Sequence, residues 1–495
     1  MDLAAMELDA PLSPRGRGCS PGGEPDHSLV EVAEREEVGR YLRLTRPVRR
    51  GEAILVEDAL FLSPGGDEEL EELLLQTLDP EAVAVARAEA AGASWPPASE
   101  QLSLVVVCAL LEDGESPGCE EFRQLRGNTE RWAGPAGRLW DRLRPELRAQ
   151  VAREAMSEVY SIVASNAHDS EGGRAGIFRF GSYAEHSCAP TAFKEVVAPV
   201  EDASRPGSPC VPTSLPELDV EGSPRRTPPQ TPVKSRGARQ PQLVVRALQD
   251  MAEGDTVSLS YIPEYLPTWR RRELLQAGYD FACQCDRCSR APELVCAFLC
   301  PRCGEGPCSP TVPVTVPAGL QGLSLRCESC DAMVEDEQFV QQLVQAELAE
   351  VVSADSMRLL HPSHHKIFGM YLHNMQVLPA ADRAQAAEQL ARAQRRMSGR
   401  SNHPLLGRLS ELEAGAQLEL GDHHQAVATL LRAQELFSAS HRGPPEAGHA
   451  LRCYRLQTRV EAGPLGAKPR RLSKLPVRSP SLPSLAENDG EEASP

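Results

Sequence analysis

The sequence predicts an α+β protein of several domains, and three observations carry this prediction. Short runs of alternating apolar residues, typical of strands, occur over residues 28–62 and again before Tyr261. Longer stretches with the helical spacing of apolar residues occupy about 67–165 and 335–462. Between them lie closely spaced cysteines that suit a metal site better than a disulfide framework. A chain of 495 residues is long enough for two or three such domains.

The composition excludes several function classes. A net charge of −18 argues against a general nucleic-acid binder, because contacts with phosphates need surplus Lys and Arg. No run approaches the roughly twenty apolar residues that cross a bilayer, and the acidic N-terminus lacks the pattern of a signal peptide. We therefore expect a soluble protein of the cytoplasm, the nucleus or both, without a membrane or nucleic-acid partner. Its fifteen cysteines should then be reduced thiols and metal ligands.

Three tracts have the composition of unpacked chain. Residues 1–27 are rich in Pro, Gly, Ser and Arg, about 201–240 interrupt a strand connection, and 463–495 are rich in Pro and Ser. None has an apolar face to bury, so we expect a disordered leader, a disordered insertion and a disordered tail. A long insertion is tolerated because the entropy of loop closure grows slowly with length.

The first cysteine set comprises Cys283, Cys285 and Cys288 and follows a predicted arginine-rich helix. Three thiolates on a tight knuckle suit tetrahedral zinc, which requires a fourth ligand from elsewhere in the chain. The best candidate is Cys188, in the upstream run Gly181-SYAEHSCAPTAF-Lys194.

The second cysteine set consists of two C-x-x-C pairs with the spacing of a zinc ribbon: Cys300 with Cys303, and Cys327 with Cys330. The glycines and prolines between the pairs suit the turns of a ribbon. A redox role for either pair is the alternative, and it is disfavoured because no thioredoxin-like strand and helix surround them. The sequence thus predicts a zinc-ribbon-like segment over 291–334.

The C-terminal region from residue 335 to 462 is predicted to form antiparallel helices. Small residues inside the apolar stripes are typical of tetratricopeptide-type (TPR-like) helix pairs. Two His-Pro pairs, His361-Pro362 and His403-Pro404, are predicted to lie at helix starts.

Three motifs follow one another in a fixed order: Glu185-His186-Ser187-Cys188, a strand ending Ser260-Tyr261-Ile262, and Tyr279-x-Phe281-x-Cys283-x-Cys285-x-x-Cys288. In this order they resemble the SET-domain protein-lysine methyltransferases of the SMYD type. The resemblance implies a SET-domain β-fold over 28–290, with a helical insert at about 67–165 and a post-SET zinc knot. The TPR-like domain would follow at 335–462. The family's MYND zinc module is expected to be absent, because residues 63–100 hold neither Cys nor His.

The resemblance also implies roles for single residues. Tyr261 would be the catalytic tyrosine beside the lysine amine, and Tyr279 would line the lysine channel. The residues that would contact the methyl donor S-adenosylmethionine are Gly39, Arg40, Glu185, His186, Tyr261 and Phe281. An aromatic residue on its own is more often part of a core, so these roles depend on the shared motif order.

Two positions depart from the family pattern. Tyr41 stands where the family has the second glycine of a G-x-G turn. Glu185 stands where it has asparagine, whose amide can donate as well as accept a hydrogen bond, whereas an ionised carboxylate only accepts.

The implied chemistry is the transfer of a methyl group from S-adenosylmethionine to a lysine of a protein substrate, histone or non-histone. The lysine amine must lose its proton, which it holds with a pKa of about 10.4 in water, and an aromatic channel that excludes water favours this loss. Two zinc ions would complete the enzyme. The alternative is a catalytically inactive SET-fold scaffold that binds protein partners through its helical domain and zinc sites.

Overall fold

The computed structural model describes residues 27–36, 39–89, 97–169, 174–197, 241–289, 293–311, 324–349, 351–400, 403–442 and 447–462. The predicted insertion, the predicted tail and all but the last residue of the predicted leader lie outside these residues. The described part combines α-helices and β-strands and continues into a helical C-terminal region, as the sequence predicts. Within it, no helix is both long and apolar enough to cross a membrane.

Ten short strands belong to the N-terminal part. They are β1 (Val30–Arg35), β2 (Gly39–Leu44), β3 (Ala53–Asp58), β4 (Phe61–Leu62), β5 (Ala167–Asp169), β6 (Ala175–Ile177), β7 (Glu185–His186), β8 (Ala192–Val197), β9 (Gln242–Ala247) and β10 (Ser258–Leu259). Strands β1 and β2 form an antiparallel hairpin, β3-β9-β8 and β4-β6-β5 are antiparallel sheets, and β10 pairs in parallel with β7. The predicted strand before Tyr261 therefore ends two residues earlier, at Leu259.

Seven helices lie between β4 and β5 in the chain. They are α1 (Asp67–Thr77), α2 (Pro80–Glu89), α3 (Ala98–Asp113), α4 (Pro117–Arg123), α5 (Thr129–Asp141), α6 (Pro145–Arg148) and α7 (Arg153–Asn166). Side-chain caps begin two of them: Ser116 accepts a hydrogen bond from a backbone N–H of α4, and Asn128 accepts one from α5. Buried apolar residues of α3 and α7, such as Val106 and Ile162, share one core with the strands.

A small antiparallel sheet links this part to the C-terminal helices. After α8 (Thr268–Tyr279) and α9 (Asp286–Ser289), the strands β11 (Phe298–Leu299), β12 (Pro307–Pro310), β13 (Leu325–Cys327) and β14 (Met333–Val334) pair in sequential order. The buried side chains of Phe298 and Leu325 pack with Leu343 and Ile367 of the helical region. The small sheet and the first C-terminal helices therefore share a core.

Seven described helices form the C-terminal region: α10 (Glu337–Leu348), α11 (Ala354–Leu359), α12 (His365–Asn374), α13 (Ala380–Ser398), α14 (Pro404–Glu419), α15 (His423–Ser440) and α16 (Ala447–Ala462). From α13 onward, each helix packs on the next. Gly407 lets α14 approach α15, because a Cβ at this position would lie 2.8 Å from the ring of Phe437. The TPR-like classification of these helices stays a prediction.

The two His-Pro pairs have different positions. His403 caps α14 and Pro404 is its first residue, as predicted. The prediction for His361-Pro362 is wrong, because α12 begins at His365 and is capped by His364. The reason is a tertiary contact: the backbone N–H of His361 donates to the carbonyl of Ala297, just before β11.

One buried arginine joins the sheet β3-β9-β8 to the C-terminal helices. Nη1 of Arg246, on β9, donates to the carbonyl oxygens of Gly51 and Arg442, at 2.9 and 2.8 Å. Gly51 has a φ of +81°, and a Cβ there would lie 2.8 Å from a backbone oxygen of α15, so this turn requires glycine. Nearby, Nε2 of His441 lies 3.0 Å from each carboxylate oxygen of Glu195, on β8. The outer face of the sheet is thus fixed to the end of α15.

His361 is expected to make the folded state sensitive to acid. Burial, reinforced by the charges of Arg396 and His364, lowers its pKa from 6.5 to about 4. Between these values the unfolded chain binds more protons, so the stability that neutral His361 confers is present above about pH 6.5 and is lost as the pH falls towards 4. An asparagine oxygen can replace Nδ1, which accepts the N–H of Ser363, but does not titrate. Between about pH 6.5 and about pH 4.5, the thermal midpoint of His361→Asn should therefore fall by several degrees less than that of wild type.

The matched control is His373→Asn, because His373 is exposed on α12. Its thermal midpoint should follow the wild-type pH dependence. Parallel curves for wild type and His361→Asn would contradict the prediction.

Candidate functional site

Four aromatic rings from three segments lie together: His186 on β7, Tyr261 after β10, Tyr279 at the end of α8, and Phe281. The ring centroids are 5.2 Å apart for His186 and Tyr261, 4.8 Å for Tyr261 and Tyr279, and 5.8 Å for His186 and Phe281. The parallel pairing of β7 and β10 sets the first two segments side by side. Asp280, with a φ of 63°, turns the chain after α8 and returns Phe281 to the group. These four rings are called the aromatic cluster below.

Tyr261 is fixed at both ends. Its hydroxyl donates to the carbonyl of Ala184 at 2.5 Å, and its backbone N–H donates to Nδ1 of His186 at 3.1 Å. Burial, with smaller contributions from Tyr279 and Glu185, raises the pKa of Tyr261. The hydroxyl is therefore protonated at neutral pH and stands beside a carbonyl oxygen.

Four thiols lie directly behind the aromatic cluster and are called the first thiol group: Cys188, Cys283, Cys285 and Cys288. Their sulfur atoms all lie within 4.8 Å of one another, and Sγ of Cys188 is 3.5 Å from Cys288 and 3.8 Å from Cys283. Because Nδ1 of His186 accepts a backbone N–H, its neutral ring carries the proton on Nε2, which is 3.2 Å from Sγ of Cys188. His186 therefore contacts both the aromatic cluster and the first thiol group.

The surroundings of the first thiol group favour thiolates. The backbone N–H of Cys285 points at Sγ of Cys283, and Nη2 of the buried Arg271 points at Sγ of Cys288, each at 3.5 Å. Nη1 of Arg287 donates to the carbonyl of Cys188 at 2.8 Å. Hydrogen-bond donors and positive charge around four converging sulfurs are what a metal–thiolate site requires, so this group can hold a metal ion.

The second thiol group has the same character. It consists of Cys300, Cys303, Cys327 and Cys330, whose sulfur atoms also lie within 4.8 Å of one another. Backbone N–H groups of Arg302, Gly306 and Ser329 point at three of these sulfurs at 3.4 Å. Gly306 is required, because a Cβ there would lie 2.5 Å from Sγ of Cys327. This group can hold a metal ion as well.

Two of the predicted donor-binding residues lie on the hairpin β1-β2. Gly39 begins β2 with a φ of +76°, and a Cβ there would meet no atom within 4 Å, so its backbone faces open space. Arg40 donates to the hydroxyl of Tyr183 at 3.1 Å and to the carbonyl of Gln124 at 2.8 Å. The structure therefore places Arg40 against Tyr183 and not against the rings of the aromatic cluster.

The two departures from the family pattern, Tyr41 and Glu185, are connected through Arg35. Nη2 of Arg35 lies 2.5 Å from Oε1 of Glu185, and the guanidinium carbon lies 4.1 Å from the ring centroid of buried Tyr41. Arg35 also pairs with Gly39 in the hairpin. Arg35 was not predicted, because it is one of 52 basic residues and lies 150 positions from its partner. It supplies N–H donors beside a carboxylate that has none.

Two smaller groups of His and Glu residues also bring metal-ligating atoms together, and the sequence analysis did not predict them. One comprises Glu195, His441 and His449, and the other comprises Glu347, His364 and His365. Burial alone would raise the pKa of Glu347, but the hydrogen bonds and charges of its two histidines outweigh this effect and lower the pKa. We interpret both groups as polar contacts that join elements of the fold.

Comparison with known proteins gives a partial match. No family model matches the chain. Over 128 residues it is 28% identical to Protein SET DOMAIN GROUP 41 of Arabidopsis thaliana, a match that takes in 25% of this chain and 22% of that protein. The chain is similar to a SET-domain protein. The similarity covers only about a fifth of that relative's length, and the SMYD type and the missing MYND module stay predictions.

A solved structure also aligns with the chain. It is the SET domain of LSMT bound to lysine and AdoHcy, and the alignment covers 88% of this chain and 87% of that chain. The TM-score is 0.30 and the identity is 10%. A TM-score of this size does not establish a shared fold.

Proposed function

We propose that this protein is an S-adenosylmethionine-dependent protein-lysine N-methyltransferase of the SMYD type. The observation that carries the proposal is the convergence of Tyr261, Tyr279, Phe281 and His186 directly in front of the first thiol group. These residues come from the three motifs that carry the family resemblance. The similarity to a SET-domain protein supports the same assignment.

The proposed substrate is a lysine side chain of a protein. The rings of Tyr261 and Tyr279 would form the wall of the channel, exclude water and so favour the neutral amine over the ammonium ion. The hydroxyl of Tyr261 and the carbonyl of Ala184, 2.5 Å apart, would orient the amine for in-line attack. The carbonyl can accept only, so it would hold an N–H of the amine while the nitrogen lone pair points at the methyl group.

S-adenosylmethionine, when bound, supplies the electrophilic methyl group. The residues present fit its chemistry: Glu185 and Arg35 offer one charge of each sign to its ammonium and carboxylate groups. Phe281 and His186 offer aromatic faces for its adenine. The open space at Gly39 would admit the donor close to the backbone. Of the predicted donor contacts, Arg40 would act through Tyr183.

Each thiol group is proposed to hold one zinc ion through four cysteine ligands. Cys188, Cys283, Cys285 and Cys288 would bind the first ion, and Cys300, Cys303, Cys327 and Cys330 the second. All-thiolate sites of this kind are closed structural sites, so neither ion would take part in methyl transfer. The first ion would fix the aromatic cluster, and the second would fix the small sheet β11–β14.

A second candidate function is a catalytically inactive scaffold. The observation that favours it is the ion pair of Arg35 and Glu185, which satisfies the two charges without a ligand. In that case the helices α10–α16 and the zinc sites would serve protein contacts alone. Donor binding distinguishes the two functions.

We expect about two zinc ions per chain by elemental analysis of the purified protein. Cys285→Ser and Cys303→Ser should each remove about one ion, because three remaining thiolates hold zinc less tightly and expose it to solvent. Cys108→Ser, which changes a half-buried cysteine of α3 outside both groups, is the control and should leave the zinc content unchanged. A wild-type zinc content near zero would contradict both assignments.

Tyr261→Phe is expected to lower turnover by about a hundredfold or more, because the hydroxyl beside the carbonyl of Ala184 is lost. Affinity for S-adenosylmethionine should change by less than about threefold, since the hydroxyl acts during transfer. Turnover is measured with labelled donor on core histones and on a protein lysate, and affinity by calorimetry. Tyr265→Phe is the control, because the ring of Tyr265 stacks on Phe368. Equal losses of turnover in both variants would contradict a catalytic role of Tyr261.

Arg35 and Glu185 are expected to act as a unit in donor binding. Arg35→Ala should weaken donor affinity about tenfold in the wild-type background, because the carboxylate then lacks its N–H donor. The same change should have a much smaller effect in the Glu185→Asn background, because the amide supplies a donor of its own. Glu185→Asn alone should tighten donor binding.

Calorimetry on the four proteins of this cycle is the measurement. Additive effects of the two changes would show that the pair does not act as a unit. If none of the four proteins binds S-adenosylmethionine while folded and zinc-loaded, the methyltransferase proposal fails and the scaffold function stands.

A further inference from the structure

Four arginines line one open cleft at the junction of the N-terminal strands and the C-terminal helices. The cleft has a volume of about 730 Å³. Its lining includes Arg49, Arg50, Gln249, Asp250, Arg400 and Arg442. Four positive side chains and one acidic side chain thus face the cleft in a protein whose net charge is −18. The name arginine cleft is used below for this feature.

The backbone on both sides of the arginine cleft is held in place. The N–H of Arg442 donates to the carbonyl of Gly51 at 2.8 Å, so the turn that carries Arg49 and Arg50 is fixed to the end of α15. On the other side, Arg400 donates to the carbonyl of Pro190 at 2.8 Å and to Oε1 of Gln249 at 2.9 Å. The arginines therefore project from fixed positions, which lowers the entropic cost of binding a ligand.

The arginine cleft carries more positive than negative charge. Oδ1 of Asp250 accepts the backbone N–H of Arg50 at 2.7 Å. The carboxylate of Glu52 pairs with Arg46 at 2.9 Å. Burial lowers the pKa of Arg400, and the negative charge of Glu264 partly offsets this effect. Within the described part of the chain, the guanidinium groups of Arg49, Arg50 and Arg442 form no ion pair.

We propose that the arginine cleft binds a phosphoryl group carried by a phosphorylated serine or threonine of a protein segment. A phosphoryl group brings a charge of about −1.5 to −2 at pH 7 and three acceptor oxygens, whereas a carboxylate brings a single charge. Guanidinium groups match those oxygens in bidentate geometry. A single carboxylate would compensate less of the net positive charge of the arginine cleft than a phosphoryl group would.

The size and lining of the arginine cleft select the carrier of the phosphoryl group. The volume exceeds that of a phosphate ion and leaves room for neighbouring residues of a peptide. The lining residues include no aromatic side chain on which a nucleotide base would stack. A phosphorylated protein segment therefore fits better than a nucleotide or a nucleic acid. This inference does not depend on the proposed methyltransferase activity.

Fluorescence anisotropy with a labelled phosphoserine peptide flanked by uncharged residues tests the proposal on the full chain. We expect this peptide to bind at least about tenfold more tightly than the same peptide with serine or glutamate in place of phosphoserine. The affinity should fall as salt is added, because the contact is electrostatic. Inorganic phosphate should compete only at much higher concentration than the unlabelled phosphopeptide.

Arg50→Ala and Arg442→Ala are each expected to weaken phosphopeptide binding at least about fivefold. Both side chains are exposed, so the thermal midpoint and zinc content should stay at wild-type values. Arg442→Lys should give an intermediate affinity, because it keeps the charge and loses the guanidinium fork. The control is Arg358→Ala, an exposed arginine on α11 outside the cleft, which should bind like wild type.

Three results would overturn the proposal. Equal affinity for the phosphoserine and glutamate peptides would show a general acidic-peptide surface. Unchanged binding by Arg50→Ala and Arg442→Ala would place the phosphopeptide elsewhere. Inorganic phosphate that binds as tightly as the phosphopeptide would reduce the cleft to a site for a small anion.

Discussion

The candidate site depends on the convergence of Cys188 with Cys283, Cys285 and Cys288. Cys188 and Cys288 are 100 positions apart, yet their sulfur atoms lie 3.5 Å apart. Four thiolates would repel one another, so a bound cation would make their convergence favourable, and its binding energy would then become folding energy. Every residue of the aromatic cluster lies within a few positions of one of these cysteines or of β10, which pairs with β7. The positions of the four rings therefore depend on where the four cysteines converge.

Local patterns predicted the parts of the structure that are formed locally. The spacing of Cys300, Cys303, Cys327 and Cys330 predicted a four-thiol group, because each C-x-x-C pair forms its own knuckle. The periodicity of residues 335–462 predicted the helical region in the same way. The contacts of Arg35 with Glu185 and of Arg246 with Gly51 were not predictable, because the two partners of each contact lie 150 or more positions apart. The prediction for His361-Pro362 failed for a related reason: a contact with the segment before β11 outweighs the local preference for a helix start.

Tyr41 and Glu185, the two departures from the family pattern, both contact Arg35 and are best considered together. Each, taken alone, removes a feature of the family's donor site: a close-approach glycine and an amide donor. Together they hold Arg35, whose guanidinium stacks on one and pairs with the other. A guanidinium provides more N–H donors than an amide, so in the proposed donor site Arg35 would supply the hydrogen-bond donor that Glu185 lacks. Under the proposed function, the two departures would together form an altered donor site.

The sheet β3-β9-β8 connects the candidate site to the arginine cleft. Phe193 on β8 lies opposite Arg246 on β9, and Glu195 lies on the same face of the sheet as Phe193. Glu195 contacts His441, which follows α15. This docking fixes the turn of Arg49 and Arg50 against Arg442, so the arginine cleft exists only when the two parts of the chain are joined. A ligand that contacts arginines from both parts binds the joined form and stabilises it by mass action. Binding in the arginine cleft would therefore hold the C-terminal helices against this sheet. The segment that directly precedes β8 in the chain contains Cys188, which belongs to the candidate site.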